Sequence, residues 1–302
     1  MALSRLEQHM ASKYVASRVY TPETVQKVKV ATGITMGYLI QAVDGLFTQW
    51  EAEYPDKMLK VLTFDNRGVG DSDAPCGRYS TSGMAQDTLA LLDVIGWRTA
   101  HIAGASLGGM ISQEIALLAP ERVQSLSLVA TSSGSFIPAV SAYASIFTTM
   151  MSADPTKVTN AILSFLYPEP FLSSKNGGNG TMHDVFFKYH KMMVVAMGAP
   201  SSFGAVGQSA AAMFHRVSDA KLRRIRDRGF PILIIGAKLD KCINVSHALH
   251  FKKVFASDHT KFVLYDDAGH GCLLQHIDQI AGNLIEVMLS SSLSATDNSR
   301  SV

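Results

Sequence analysis

The sequence AHIAGASLGGMISQEIALLAP, residues 100–120, contains a short apolar run, a glycine-rich turn and a helical run, in that order. Ser106 lies in the turn between Gly104 and Gly108, at the spacing G-x-S-x-G, and Pro120 ends the helical run. A strand that enters a helix through such a turn holds the serine in a cramped backbone conformation and exposes its hydroxyl beyond the sheet. Glycines lack Cβ and let strand and helix approach closely. We interpret Ser106 as a candidate nucleophile; the alternative is a glycine-rich turn with an incidental serine.

Strand and helix patterns alternate on both sides of this turn. Apolar runs predict strands at 27–35, 58–64, 101–103, 123–131, 231–235 and 261–265, with a weaker alternation at 14–20. Helical spacing predicts helices at 39–52, 82–95 (capped by Ser82), 110–119, 245–255 and 273–289. Alternating elements joined by short links predict an α/β fold with a doubly wound, mainly parallel sheet. Right-handed crossovers then bring the carboxyl ends of the parallel strands to one edge.

The pattern changes between residues 132 and 228. Helical runs rich in Met, Phe and Ala occupy 139–151, 155–166, 183–198 and 205–215, without a clear strand signal. We expect a helical cap over 132–228, inserted into a discontinuous core of residues 1–131 and 229–302, with a disordered tail at 290–302. These helices fit ordinary core packing as well as a ligand pocket over the strand ends.

Composition narrows the class of protein. The chain has 302 residues and a formal net charge of +2, which provides no field for nucleic acid or acidic membranes. No stretch approaches the roughly 20 apolar residues of a membrane span, and the polar first 15 residues do not resemble a signal peptide. The three cysteines form no C-x-x-C pair, which predicts a reducing, cytoplasmic compartment.

Two residues beyond the serine complete a candidate catalytic set. A serine hydroxyl needs a base within hydrogen-bond reach, and the base needs an orienting acid. His270 lies between glycines after the last predicted strand, and its ordinary pKa suits general base and then general acid work. Asp240 follows the preceding strand and can hold the imidazole tautomer; its alternatives are a helix cap or an ion pair with Lys241. The order Ser…Asp…His is the one expected for this topology.

Other titratable groups are less suited to catalysis. Asp266 and Asp267 precede His270 by too few residues to face it across the sheet. We interpret Cys242 and Cys272 as small buried hydrophobes, with an oxidation-sensitive site as the alternative. Four other histidines are interpreted as packing or surface groups, although His215 on the cap could reach the pocket: His101, His215, His247 and His276.

Several stretches together carry a resemblance to a known family. They are FDNRGVGDSDAP (64–75), MAQDTLALLDVIGW (84–97), HIAGASLGGMISQEIALLAPERVQSLSLVAT (101–131), PILIIGAKLD (231–240) and DAGHG (267–271). The chain resembles the α/β-hydrolase superfamily over most of residues 27–289, in its serine-nucleophile branch with a helical cap, which includes esterases, lipases and perhydrolases.

The resemblance implies a role for each candidate residue. It implies Ser106 as nucleophile, His270 as base and Asp240 as acid. It also implies an oxyanion hole formed by two backbone N–H groups, that of Leu107 and that of the residue after the first strand's loop motif, which we assign to Tyr38.

Three features depart from the family pattern. Met36-Gly37-Tyr38 stands where the family usually carries His-Gly. The opening β-hairpin is expected to be short or missing, because only some 26 residues precede the first predicted strand. Asp240 comes one residue later after Gly236 than in most relatives.

A serine at position 106 argues against epoxide hydrolases and haloalkane dehalogenases, which need a carboxylate there. The expected activity is hydrolysis of a carboxylic ester or related acyl bond of a small to medium apolar substrate, through an acyl-enzyme on Ser106. Alternatives are thioesterase, C–C hydrolase or perhydrolase chemistry, or a non-catalytic ligand-binding protein. We found no metal cluster in the sequence, and Gly68 and Gly70 do not complete a nucleotide motif, so no cofactor is expected. The expected partner is a small acyl substrate, and the oligomeric state stays open.

Overall fold

The structure, a computed structural model, describes residues 25–42, 50, 54, 56, 59–176, 178, 180–197 and 202–297. Its strands are β1 Gln26–Lys29, β2 Thr35–Ala42, β3 Lys60–Phe64, β4 Ala100–Ala105, β5 Val123–Val129, β6 Ile232–Ala237 and β7 Thr260–Tyr265. Its helices are α1 Thr81–Val94, α2 Leu107–Leu118, α3 Val140–Met151, α4 Pro155–Leu166, α5 Glu169–Leu172, α6 Met182–Met197, α7 Ser202–Phe214, α8 Asp219–Arg226, α9 Val245–Val254, α10 Cys272–Gln275 and α11 Ile277–Asp297, with a 3₁₀ turn at Pro120–Arg122.

The centre of the fold is a parallel sheet in the order β4-β5-β6-β7. Every residue of β6, ILIIGA, is buried, as expected for a parallel strand covered on both faces. Two apolar clusters cover the faces, one containing Leu126 and Ile234 and the other Val129 and Ile235. Because side chains alternate along a strand, these neighbouring positions supply opposite faces. The doubly wound, mainly parallel α/β architecture is confirmed.

A second, antiparallel sheet in the order β1-β2-β3 precedes it. The interpretation of 27–35 as one strand is wrong, because Val30 N–H donates to Ile34 O (2.9 Å) and turns the chain back on itself. β1 and β2 form an antiparallel hairpin, and β1 has only four residues, so of the two expectations the hairpin is short and not missing. Residues 39–42 belong to β2 and not to a helix. Most of the predicted helix 39–52 and the predicted strand 14–20 lie outside the described residues.

The two sheets are separate in the described part of the chain. There β3 pairs with β2, β4 pairs with β5, and no pairing joins β3 to β4. A cavity of about 670 Å³ is lined by both of these strands, by helices α1 and α2 and by Leu284 and Met288 of α11. It reaches Asn66, Ala105 and Gly108, close to the turn that holds Ser106. The described strands therefore form two sheets, and β3 of one and β4 of the other both line this cavity.

Helices α3 to α8 lie between β5 and β6, where the sequence predicts a cap. A bridge joins Gly134, before α3, to Arg216, which lies between α7 and α8. Helix α1 begins at Thr81, and its N-cap is Ser80, two residues before the predicted cap Ser82; Ser80 Oγ accepts Gly83 N–H. Helix α11 continues to Asp297, so residues 290–297 are helical and not a disordered tail, while 298–302 lie outside the described residues. Among the described helices, none has the length and apolar character needed to cross a bilayer.

Candidate active site

Ser106 lies at the sharp turn between β4 and α2. Its backbone angles are φ 50° and ψ −119°, a positive φ that costs energy in a residue with a side chain. A Cβ at Gly104 would lie 2.3 Å from Gly108 O, so only glycine allows the strand and helix to approach this closely. A Cβ at Gly108 would meet no heavy atom within 4 Å, so of the two glycines flanking the serine, Gly104 is the one that packing requires.

Hydrogen bonds fix the strained turn from both sides. Ser106 N–H donates to Val129 O (3.0 Å), and Thr131 Oγ1 donates to Ser106 O (2.7 Å). The Ser106 carbonyl also accepts Gly109 N–H (3.0 Å). Leu107 is the first residue of α2, where a backbone N–H has no acceptor within the helix. That N–H and the positive end of the helix dipole stand beside the serine, where they can stabilise a negative charge.

His270 and Asp240 meet Ser106 from the ends of β7 and β6. His270 Nε2 lies 3.0 Å from Ser106 Oγ, and His270 Nδ1 lies 2.8 Å from Asp240 Oδ2. The second carboxylate oxygen of Asp240 accepts the N–H groups of Cys242 (2.7 Å) and Ile243 (2.8 Å). Only 7% of the His270 side chain and 1% of the Asp240 side chain are exposed. A carboxylate, an imidazole and a hydroxyl are thus connected in one line.

The alternative partners for these groups are engaged elsewhere. Lys241 Nζ donates to Ser164 O (3.1 Å), which leaves Asp240 to His270 and the backbone. Asp267 pairs with His276 (2.9 Å) and Asp266 lies 3.6 Å from Lys238. Asp240 is therefore the carboxylate that contacts the imidazole of His270.

His101, His215 and His276 contact residues other than Ser106. His101 bonds Ser125 and His276 stacks on Tyr265. Burial lowers the pKa of His247 and of His101. His215 lies after helix α7 with its Nδ1 2.9 Å from Thr81 Oγ1 and its Nε2 buried without a partner. Burial, helped by the Arg216 charge, lowers the pKa of His215 to about 4.

The two cysteines near the site are buried thiols. Cys242 and Cys272 are 8% and 0% exposed. Burial and the negative charge of Asp240 raise the pKa of each thiol to about 12. Both thiols therefore stay protonated at neutral pH and are unreactive.

Tyr38 does not fit the role of second oxyanion donor. It lies in β2, the central strand of the antiparallel sheet, opposite Gln26 of β1 and Phe64 of β3. The backbone groups of a central strand point towards its two neighbours, so the Tyr38 N–H faces a strand and not an acyl oxygen. Its hydroxyl bonds Gln26 Oε1 (2.7 Å). The assignment of Tyr38 to the oxyanion hole is wrong.

One neighbour of His270, Phe165, was not predicted from the sequence. The ring of Phe165, near the end of α4, packs edge-on against the His270 imidazole with 5.4 Å between centroids. No local motif marks Phe165, since the contact arises from tertiary packing of a helix 105 positions away. Among the described residues, no group of three or more His, Cys, Asp or Glu is arranged to hold a metal ion.

Comparison with known proteins shows which family this chain belongs to. The profile described as alpha/beta hydrolase fold matches residues 46–277, a span that includes Ser106, Asp240 and His270. The chain belongs to the alpha/beta hydrolase family.

Individual relatives are similar over parts of the chain or in fold. A putative carbamate hydrolase RutD of Azorhizobium caulinodans is 44% identical over 70 residues, which cover 23% of this chain and 26% of the relative. The chain thus spans about a quarter of that relative's length. A hydrolase of Pseudomonas aeruginosa PA01 matches in structure with a TM-score of 0.65 and 24% identity, over 89% of this chain and 99% of the other. An esterase of Thermogutta terrifontis has a TM-score of 0.67 and 17% identity, over 88% and 98%.

Proposed function

We propose that this alpha/beta hydrolase cleaves a carboxylic ester or related acyl bond of a small to medium apolar substrate, through an acyl-enzyme on Ser106. The observation that carries the proposal is the contact of His270 with both partners, 3.0 Å to Ser106 Oγ and 2.8 Å to Asp240 Oδ2. The esterase named among the structural neighbours supports the same class of reaction through its fold.

Each residue has a distinct task in the proposed reaction. His270 Nε2 takes the hydroxyl proton as Ser106 Oγ attacks the acyl carbon, and the carbonyl electron pair moves to its oxygen. The Leu107 N–H stabilises that oxyanion. When the tetrahedral intermediate collapses, the bond to the leaving oxygen breaks and His270 returns the proton to it. A water activated by His270 then attacks the acyl-enzyme in the same way and releases the acid.

The surroundings of the serine favour an apolar acyl group. An apolar cluster beside Leu107 contains Met110 and Ile243, with Phe136 and Ala212 packed against it. Phe136 and Ala212 come from the segment between β5 and β6, which we propose is a cap over the site. A polar acyl chain would lose hydration in contact with these side chains without gaining hydrogen bonds.

The proposal can be tested with p-nitrophenyl esters of increasing acyl length, such as acetate, butyrate and octanoate. We expect the wild-type protein to hydrolyse at least one of them and the Ser106→Ala variant to lose about 10³-fold or more in kcat. Thermal unfolding of the variant serves as the control for folding. Equal rates for wild type and Ser106→Ala would contradict the proposal.

A non-catalytic ligand-binding protein is the second candidate, and the loss of Tyr38 as a donor favours it. With the Leu107 N–H as the assigned donor, the oxyanion would have weaker stabilisation than two N–H groups provide. This candidate predicts that p-nitrophenol release is absent in the wild type and that apolar ligands bind equally to wild type and Ser106→Ala. Thioester hydrolysis and perhydrolysis would use the same acyl-enzyme and differ in the acyl donor or acceptor. The cytoplasmic location stays a prediction.

A further inference from the structure

The loop that carries His270 contains a glycine on each side of the histidine, and glycine gives a free backbone more conformations than any other residue. A base in such a loop needs outside contacts to keep its imidazole between Ser106 and Asp240. Those contacts come from the end of helix α4 and the residue that follows it, Phe165 to Tyr167.

The backbone of this segment contacts both glycines. Leu166 O accepts the N–H of Gly271 at 2.8 Å, so the peptide next to the histidine is hydrogen-bonded to the helix end. A Cβ at Gly269 would lie 2.5 Å from Leu166 O, and one at Gly271 would lie 2.5 Å from Cε1 of the Tyr167 ring. The glycines are therefore required here for close approach, and the segment fills the space beside them.

The ring of Phe165 contacts the imidazole itself. The two rings meet nearly edge to face, with 5.4 Å between centroids and an interplanar angle of 66°. Aromatic pairs prefer this geometry, and it restricts rotation of the imidazole about the Cβ–Cγ bond. A leucine at position 165 would keep an apolar contact and lose the flat ring edge.

Tyr167 anchors the segment in the helices between β5 and β6. It is 2% exposed and packs in a cluster with Leu163 and Phe186. Its hydroxyl lies 2.9 Å from His190 Nε2. Burial lowers the pKa of His190 to about 4 and raises the pKa of Tyr167 well above its usual value, so the tyrosine hydroxyl donates to a neutral imidazole at pH 7. The buried pair holds the helix end in one place.

We propose that Phe165 and Tyr167 are positioning residues that hold the imidazole of His270 in line with Ser106 and Asp240. The proposal rests on the proposed serine hydrolase function. It assigns to the helical segment a second task beside covering the site, because the segment sets the geometry of proton transfer. A misplacement of about 1 Å between reacting groups can cost on the order of 100-fold in rate.

The test compares Phe165→Leu with Phe251→Leu. Phe251 is a buried ring of helix α9 that packs on Phe255, in a cluster that does not contain Tyr167 or Phe165. We expect Phe165→Leu to lower kcat for a p-nitrophenyl ester about 10- to 100-fold with little change in KM. The downfield proton resonance of the His270 imidazole should broaden or shift in Phe165→Leu, and Phe165→Tyr should restore both properties. Phe251→Leu should lower the melting temperature at least as much while keeping kcat and the resonance.

The outcomes separate this proposal from the proposed function. If wild type hydrolyses esters and Phe165→Leu matches it in kcat and in the imidazole resonance, the positioning role is wrong and the hydrolase function stands. If both aromatic variants lose the same amount of kcat, the effect is general loosening and the specific role of Phe165 is wrong. If the wild type neither hydrolyses esters nor reacts at Ser106, the proposed function fails first, while the resonance still reports whether Phe165 orders the imidazole.

Discussion

Asp240 and His270 are joined by a carboxylate–imidazole contact of 2.8 Å between Oδ2 and Nδ1. The other carboxylate oxygen is held by two backbone N–H groups, which fix the plane of the acid. Because a carboxylate only accepts hydrogen bonds, Nδ1 carries the imidazole proton and Nε2 presents a lone pair to Ser106. The geometry therefore selects the tautomer that can act as a base.

Replacing Asp240 with asparagine should remove this selection. In Asp240→Asn the amide oxygen can keep the backbone contacts, which turns the NH₂ group towards Nδ1 and moves the imidazole proton to Nε2. We expect kcat to fall about 10³- to 10⁴-fold, as for the wrong tautomer in a serine protease. Steady-state ester hydrolysis measures the change. Asp267→Asn alters a nearby carboxylate that pairs with His276, so this variant should keep the wild-type rate. Equal losses of rate in both variants would contradict the assignment of Asp240 as the acid.

The two glycines that flank Ser106 should respond differently to alanine. In Gly104→Ala the new methyl group meets backbone 2.3 Å away, and overpacking of this kind costs about 1–3 kcal/mol or more. In Gly108→Ala it meets open space in a helix, so the free energy of unfolding should rise by up to about 1 kcal/mol. Urea unfolding of both variants measures the difference. Similar free energies for the pair would show that the close approach at Gly104 is misplaced.

The thiols should divide into one reactive and two inert groups. Cys76 is exposed, whereas Cys242 and Cys272 are buried with pKa values raised to about 12. A thiol reagent at pH 7.5 should modify Cys76 alone in the folded protein and all three cysteines after unfolding. Peptide mapping locates the adducts, and Cys76→Ser is the control with no expected adduct. Rapid modification of Cys242 in the folded protein would favour the oxidation-sensitive alternative.

Acid should destabilise the protein through His190. Its pKa in the folded state is lowered by burial to about 4, below the value near 6.5 of an unfolded chain, so the unfolded state binds the proton first as pH falls. Stability should be unaffected above about pH 6.5 and should decrease between about pH 6.5 and pH 4, by up to about 3 kcal/mol. Urea unfolding at pH 7.5 and 4.5 should show a smaller pH dependence in His190→Gln than in wild type. His183→Gln, at a half-buried position of the same helix, should keep the wild-type dependence.

The sequence was sufficient to place the residues that meet at the strand ends. Parallel strands joined by right-handed crossovers bring their carboxyl ends to one edge, so Ser106, Asp240 and His270 could be predicted as neighbours across 164 positions. The helices between β5 and β6 could be predicted for a different reason, since they are long and have a periodic apolar pattern.

The errors arise where the limits or contacts of an element depend on its partners in the fold and not on the local pattern of residues. Residues 27–35 contain both a strand and the turn into the next one, and apolar pattern alone does not divide them. The assignment of Tyr38 failed because its strand has neighbours on both sides. Phe165 was missed because its contact with His270 depends on how a helix packs and not on any local spacing.

The most direct measurement is covalent labelling of the folded protein with a fluorophosphonate, followed by mass spectrometry of its peptides. We predict a single adduct on Ser106 in the wild type, no adduct in Ser106→Ala and much slower labelling in Asp240→Asn. An unlabelled Ser106 in folded wild-type protein, or an adduct that persists in Ser106→Ala, would contradict the assignment of Ser106 as an activated nucleophile.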